Sequence, residues 1–200
     1  KSRLQYTLRG SNGGITDIDM GPQDQILAAS SNDYATRIWT IETQRLKLTL
    51  TGHGGKVLAA RFLGSVHRLA SGSNDRTVKN EIVVGGRVTS VDMPFDKTTL
   101  VCCTKDHTLE VIDLRKSAVV SLFSDDRFKV ATDQTRCSYS NDGMFVAVGS
   151  SDGSVLTWKV KTGELVSITK EHSDPVISCN WLGGRLVTGD KNKHCILWSE

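Results

Sequence analysis

The chain has no long apolar run, and no stretch of a dozen or more residues carries helical periodicity. The first absence excludes a membrane-spanning helix and the second an α-helical core, so the chain reads as all β. Cysteine is sparse and poorly spaced for chemistry. The five, at positions 102, 103, 137, 179 and 195, form an odd set without a C-x-x-C pair. That argues against a zinc site and a disulfide framework and for a reducing compartment, with each cysteine read as a small buried strand residue. Neither sign of charge dominates: the excess of three positive charges is scattered and does not point to nucleic acid. No signal peptide is visible at Lys1, and a chain opening Lys-Ser-Arg reads as a fragment whose true start is elsewhere, which leaves targeting open. What remains is an ordinary globular balance, 38% hydrophobic and 24% charged, long enough at 200 residues for one domain with a full core.

A repeat organises that domain. Residues 52–79, GHGGKVLAARFLGSVHRLASGSNDRTVK, contain a Gly-His pair, an alternating run, a polar turn, a run of small residues, an Asn-Asp turn and a third alternating run. These read as three short strands joined by tight turns. A turn acid or amide with an aromatic six positions later recurs as Asp33 with Trp39, Asp152 with Trp158 and Asn192 with Trp198. At Asp75 and Asp106 the sixth position holds Glu81 and Ile112. The successive steps are 42, 31, 46 and 40 residues, three of them near the period of roughly 40–45 expected for propeller blades. Five repeats result, over residues 9–50, 51–80 (truncated), 81–115, 116–160 and 161–200, all within one domain. The strand over Lys1–Leu8 is expected to pair with the open third strand of the last repeat and so remove two free edges. Asp142-Gly143 and Asp152-Gly153 predict type I′ hairpin turns.

Several residues tempt a catalytic reading. His53, Ser71 and Asp75 have the composition of a hydrolase triad, but they recur at the repeat period and no G-x-S-x-G elbow accompanies them. Asp96, Asp125, Asp126 and Asp133 could supply a glycosidase acid pair, yet they sit where aspartate forms turns. Lys191–His194 is a short basic cluster in a hairpin turn and reads as a solvated edge.

The Gly-His start, the S-G-S-x-D-x-T-V-K run and the recurrence resemble the WD-repeat family, in which each repeat builds most of one propeller blade. The resemblance implies a buried structural tetrad of His, Ser or Thr, Asp and Trp. It maps onto His172, Thr188, Asn192 and Trp198 in the last repeat, and onto His53, Ser71 and Asp75, without the Trp, in the second. Longer phrases are more specific: GSNGGITDIDM (10–20), AASSNDYATRIWT (28–40), RLKLTLTGHGGKVLAARFL (45–63), LEVIDLR (109–115) and the closing LVTGDKNKHCILW are similar to the C-terminal propeller of the autophagy-related 16-like family. Two departures from the general repeat, RIWT with Thr in place of Asp and VIDL with Ile in place of Trp, are ones that family is expected to share. The chain then resembles a shortened form of a seven-bladed propeller, without the family's first blade and without a segment at residues 80 and 81.

That resemblance implies a non-enzymatic interaction module with no cofactor and no metal. It is expected to be cytoplasmic and recruited to autophagosomal or endolysosomal membranes. Its partners would be receptor cytoplasmic tails and proton-pump subunits, with the autophagy conjugation complex engaged through an N-terminal part. Neither nucleic acid nor a membrane span is implied. The alternative is a general WD scaffold or a substrate receptor of a cullin-type ubiquitin ligase, since Ile112-Asp113-Leu114-Arg115 resembles the W-D-x-R adaptor element. In a propeller the loops entering the innermost strands and those joining the second strand to the third meet at one channel mouth. Lys56, Arg87 and Arg136 in the first set and Tyr34, Arg76, His107 and Lys191 in the second form the candidate partner surface. Arg87 leads them, because the family resemblance places a coupling basic residue there.

Overall fold

The computed structural model describes residues 6–65, 68–78 and 82–199. Most of the strand expected over Lys1–Leu8, and with it the pairing expected to close the ring, lies outside the described residues, as do Asn80 and Glu81. The chain folds into five antiparallel sheets, each built from consecutive strands. The first holds β1 (Ile15–Met20), β2 (Ile26–Ser31), β3 (Thr36–Thr40) and β4 (Leu46–Leu50). The second holds β5 (Val57–Ser65), β6 (Arg68–Ser73), β7 (Thr77–Val78) and β8 (Ile82–Val83). The third holds β9 (Val88–Asp92), β10 (Thr99–Thr104), β11 (Thr108–Asp113) and β12 (Ala118–Phe123). The fourth holds β13 (Cys137–Tyr139), β14 (Phe145–Gly149), β15 (Ser154–Lys159) and β16 (Leu165–Lys170). The fifth has β17 (Val176–Leu182), β18 (Arg185–Asp190) and β19 (Cys195–Trp198). Among the described residues the one helical segment is a 3₁₀ turn at Pro22–Asp24. This is the all-β architecture that the resemblance to a propeller implies, with five successive antiparallel sheets among the described residues.

From the second sheet on, sequence repeats and sheets differ in phase by one strand. Ala118–Phe123 pairs with β11 and closes the third sheet, although the repeat pattern groups it with the fourth repeat. Leu165–Lys170 likewise closes the fourth sheet against β15, and Ile82–Val83 closes the second against β7. Each of these sheets thus takes its outermost strand from the start of the next sequence repeat.

Neither Asp142-Gly143, between the first and second strands of the fourth sheet, nor Asp152-Gly153, between its second and third, forms a type I′ turn. In the Ser150–Gly153 turn the Gly153 amide donates to the Ser150 carbonyl and Ser150 N–H to the Ser154 carbonyl. Positive φ falls on Gly153 alone (88°), and Gly143 (71°) plays the same part in the Ser140–Gly143 turn. In the Ser150–Ser154 hairpin this is a type I turn followed by one left-handed residue, the three-residue loop that also matches strand twist. Tyr34 (φ 70°), Arg76 (66°) and His107 (65°) hold the left-handed place in three other sheets.

Packing between sheets follows from small residues on the second strands. A Cβ on Gly72 would lie 2.4 Å from Val88 Cγ1, and one on Gly149 would lie 2.4 Å from Val176 Cγ1, so each glycine admits the next sheet's innermost strand. Apolar cores fill the seams: Ile26, Ala28, Ile38 and Phe62 between sheets one and two, Val78, Val88, Val91 and Leu100 between two and three. The largest lies between three and four, where Phe128 meets Trp158 edge to face at 5.7 Å.

Side chains of the innermost strands bond to the backbone of the next sheet. Asp19 Oδ2 accepts from Phe62 N–H (2.7 Å), and Asp92 Oδ2 accepts from Tyr139 N–H (2.8 Å). Ser90 Oγ accepts from Cys137 N–H (3.0 Å), while Thr16 Oγ1 donates to the Val57 carbonyl (2.6 Å). Asp92→Ala would strand a buried amide and weaken the hold on Arg61, whose Nε lies 3.8 Å from Asp92 Oδ1. Urea denaturation should show a loss of about 1–3 kcal/mol. Asp92→Asn, which keeps an acceptor oxygen, should lose less.

Candidate functional site

In each sheet the loop entering the innermost strand is bonded to the hairpin between the second and third strands. Asn32 N–H donates to the Gly14 carbonyl, Asn74 to Lys56, Lys105 to Arg87, Ser151 to Lys129 and Lys191 to Pro175. Five pairs of loops therefore share one end of the molecule, and polar side chains hold them in place.

Two of these pairs carry the histidine cluster. In the second sheet His53 Nδ1 lies 2.8 Å from Asp75 Oδ2 and Nε2 2.9 Å from Ser71 Oγ, while Thr77 Oγ1 donates to Asp75 Oδ1 (2.6 Å). Asp75 Oδ2 also accepts the Gly54 amide at 2.8 Å, so one carboxylate ties the loop to the hairpin. In the fifth sheet His172 Nε2 meets Thr188 Oγ1 at 2.7 Å, and the Trp198 indole N–H donates to the same hydroxyl at 2.8 Å. The acid there is Asp190, 2.9 Å from His172 Nδ1, and not the expected Asn192. Asn192 does occupy the turn position matching Asp33 and Asp75, but only its amide takes part, donating to Asp190 Oδ1. Asp190 stands where the other hairpins have Ser31, Ser73, Thr104 or Ser150, and a carboxylate there reaches both the imidazole and the turn amides.

The other sheets reach the same end by different chemistry. Ser11 replaces the histidine in the first, bonding Ser31 Oγ at 2.8 Å, and Asp33 is held by Arg37 at 2.7 Å. The Trp39 indole donates to the Arg9 carbonyl. In the third, Val84 fills the histidine position and the entering loop's Gly85 amide is accepted by buried Glu110, out on β11. Nothing in the spacing of the repeat signals Glu110.

Burial and hydrogen bonds pull the two acids in opposite directions. Burial raises Asp75, but the bonds from Thr77, His53 and the Gly54 amide outweigh it and bring its pKa down to about 2. Asp190 is likewise raised by burial, then lowered to about 2 by the His194 amide, His172 and the Asn192 amide. Burial also pushes the Cys103 and Cys179 thiols up to about 12, which leaves them protonated and inert. Cys102 and Cys137 are buried too, but Cys195 is exposed, against the expectation of a buried strand residue, because it lies on the thinly covered last strand.

The candidate partner residues do not all share one environment. Lys56, Tyr34, Arg76, Arg87 and Lys191 are exposed on the bonded loops. His107 is half-buried and its Nδ1 accepts the Val130 amide at 2.9 Å. Burial, Lys129 and Lys105 together depress its pKa, so the ring is neutral. Arg136 is not the loop residue expected. Its guanidinium donates to the Thr89 carbonyl and, at 2.8 Å, to the Thr16 carbonyl, spanning three sheets across the channel. The reason is an excursion over residues 130–136 between the bonded loop and β13. The true counterpart of Lys56 and Arg87 is exposed Lys129, whose carbonyl accepts the hairpin amide. The channel itself, a cavity of about 320 Å³, is lined by Asp17, Arg61, Asp92 and Arg136. Arg61 Nη1 pairs with Asp17 at 2.7 Å.

The remaining acids act locally. Asp125 chelates Arg127, Asp96 caps Thr98, and Asp133 lies 3.8 Å from Lys105, so none is set up as half of a glycosidase acid pair. Asp113 Oδ1 accepts the amides of Arg115 and Lys116, which accounts for the aspartate of the I-D-L-R run as a turn cap. Among the described residues no group of His, Cys, Asp or Glu could hold a metal ion, and no helix is long and apolar enough to cross a membrane.

Because Asp75 and Asp190 titrate below an unfolded aspartate, the unfolded chain binds more protons between about pH 4 and pH 2. Stability is lost as pH falls through that window, and the urea midpoint of Asp75→Asn should fall less steeply there than that of the parent. Trp158 is 1% exposed, whereas Trp198 is only partly buried. Trp158→Ala should therefore cost about 3–5 kcal/mol, and Trp198→Ala less than expected for a core tryptophan. His172→Ala should cost about 1–3 kcal/mol by leaving Asp190 and Thr188 short of a partner, again read by urea denaturation.

Four stretches, residues 2–40, 44–79, 118–159 and 163–199, match the WD domain, G-beta repeat. The gap between the second and third covers most of the third sheet, which has neither the histidine nor the tryptophan. Over 96% of its length the chain is 28% identical to protein tipD of Dictyostelium discoideum, covering 41% of that protein. It is 30% identical to autophagic-related protein 16.2 of Caenorhabditis elegans and 32% to protein Atg16l2 of Mus musculus, each over 96% of the chain, covering 47% and 39% of those proteins. The chain thus spans less than half of these relatives. The match to tipD extends over 252 positions, more than the 200 residues of this chain, so that relative carries additional residues inside the matched span.

Proposed function

The chain belongs to the WD-repeat family, and on that premise we propose that it is the non-enzymatic interaction module of an autophagy-related 16-like protein. Its similarity to Atg16-family proteins makes it an autophagy-related WD-repeat chain. Its task in this reading is to select target membranes by binding receptor tails or proton-pump subunits. The lipid-conjugation machinery for a ubiquitin-like protein, carried by other parts of the full protein, is then recruited to autophagosomal or endolysosomal membranes.

The observation that carries the reading is the contrast between the two kinds of side chain at the bonded loop end. The groups that could do chemistry are enclosed: His53 is bonded to Asp75 and Ser71 in the order of a hydrolase triad, but its side chain is only 4% exposed and that of His172 is fully buried. A hydrolase needs its hydroxyl within reach of a histidine and of substrate, and the hydroxyls of Ser71 and Thr188 are both buried. The groups that could bind are presented outward, with Lys56, Arg87, Lys129 and Lys191 exposed on neighbouring loops. Such a collection raises the local potential and favours an acidic peptide, with Tyr34 as an aromatic anchor.

Arg87→Ala should leave the melting temperature nearly unchanged, since the side chain is exposed. It should weaken an acidic receptor-tail peptide by about 1–2 kcal/mol and make the remaining affinity less sensitive to salt. Titration of that peptide against parent and variant at two salt concentrations checks this. Equal affinities at low salt would remove this end from consideration.

A further inference from the structure

The outer strands β4, β8, β12 and β16 close the first four sheets, and among the described residues no further strand pairs with the outer side of any of them. Such a side is a row of free backbone N–H and C=O groups that invites another chain to add to it, and folded proteins blunt it by shortening the strand or placing lysine there. Among the described residues β8 is two residues long, β4 holds Lys47 and β16 holds Lys170. β12 has neither protection. Its six residues, AVVSLF, include no charge and no proline, and Ala118, Val119, Val120 and Leu122 are exposed.

A bulge does not set β12 apart. Its register against β11 shifts so that Val120 stands outside the ladder, and the matching shift leaves Lys47 outside the ladder of the first sheet and Val166 outside that of the fourth. The backbone device is common to three strands, and the side chain placed on it differs. Proline-free, uncharged segments of about six residues with high β propensity are also the ones that pair most readily with copies of themselves. An edge without charge offers no side chain to select a foreign sequence, whereas every second molecule supplies a strand of the same length and the same apolar character.

The flanks fix the direction. Before β12 the turn carries exposed Arg115 and Lys116, with Asp113 accepting the amides of both. After it come Asp125, exposed Asp126 and Arg127, whose guanidinium is held by Asp125. A parallel neighbour of the same sequence would set Arg115 and Lys116 beside their own copies, and like charges at that distance repel. An antiparallel neighbour sets them beside residues 125–127, where two carboxylates stand against one guanidinium, and symmetry makes the contact twice. We propose that β12 is a homotypic docking edge, to which a second copy of this chain adds its own β12 antiparallel, joining the two third sheets into one across a twofold axis near Val120 and Ser121. The paired strands are short and bulged, so the complex is of the transient kind.

Sedimentation equilibrium of the 200-residue chain over a range of concentrations is the test, and a reversible monomer–dimer equilibrium is the expected result. Val120→Lys places on β12 the residue that β4 carries at the matching position, so the melting temperature should hold. Both copies bring the new charge into the seam, and dimerisation should weaken about tenfold or more. Val166→Lys, at the matching place on β16, should leave the dimer unchanged. Direction is read by oxidation in a Cys195→Ser background, which removes the exposed thiol: Val120→Cys should link to itself across the axis, and Lys116→Cys should not. The proposal is overturned if the chain stays monomeric throughout, if Val120→Lys associates as well as the parent, or if Val166→Lys weakens association equally. Failure of Val120→Cys to link to itself overturns it as well, and so does self-linking of Lys116→Cys, since only a parallel neighbour brings those positions together.

Discussion

The structure depends on how the innermost strands satisfy their outward amides. These strands line the channel edge-on and bond to a second strand on one side only, so half of their backbone groups have no ladder to join. Side chains from the neighbouring sheet take over, with Asp19 for the Phe62 amide, Asp92 for Tyr139 and Ser90 for Cys137. A buried amide left unpaired costs as much as a hydrogen bond is worth. The polar residues on these strands are therefore part of the assembly of sheets. Arg61 and Arg136 extend the scheme across the channel, the first toward Asp17 and Asp92 and the second onto the carbonyls of Thr16 and Thr89.

A second constraint governs the loop end. Each entering loop has amides that need an acceptor beneath the hairpin, and the sheets supply one from different positions. Asp33 takes the Asn12 amide, Asp75 the Gly54 amide, and Glu110, from a strand, the Gly85 amide. The repeat preserves the task and lets the residue move. That mobility explains why the fifth sheet uses Asp190: a carboxylate two residues earlier reaches the same imidazole and turn amides and leaves Asn192 only its backbone.

These constraints decide what can be read from sequence. Strands are legible because alternation and turn residues recur at a fixed offset, and the His53 cluster because its partners sit at that offset. Asp190 and Glu110 are not, since a hydrogen bond specifies where an oxygen arrives and not the residue that carries it. Arg136 escapes for a different reason. Adjacency to a strand suggests a loop residue, but the excursion over residues 130–136 turns that position toward the channel, where backbone carbonyls of two other sheets converge. The polar run from Ala131 to Thr135 is the available signal of that detour. Turn type fails because Asp-Gly satisfies two hairpin geometries, and the number of residues between the paired ends selects between them.

The second sheet shows how little of a blade the assembly requires. Among the described residues its third and fourth strands are two residues each, against five or six in the first, third and fourth sheets. Yet the seam to the third sheet is closed, because what packs there comes mainly from the inner half. Ala59, Leu63 and Ala70 meet Val88, Val91 and Leu100, with Val78 as the last contribution before the junction, and Gly72 admits Val88 at close range. In an array where each unit touches only its neighbours, stability is a sum of unit and interface terms, so an interface built on two long strands survives the shortening of the other two. The outermost strands stay open whether the next sheet is short or full: Leu46, Leu48 and Leu50 on β4 are 43%, 49% and 40% exposed, and Val119, Val120 and Leu122 on β12 are 37%, 46% and 57% exposed. The inner strands therefore carry both the packing and the polar bonding that join the sheets, and the outer strands mainly cover apolar surface.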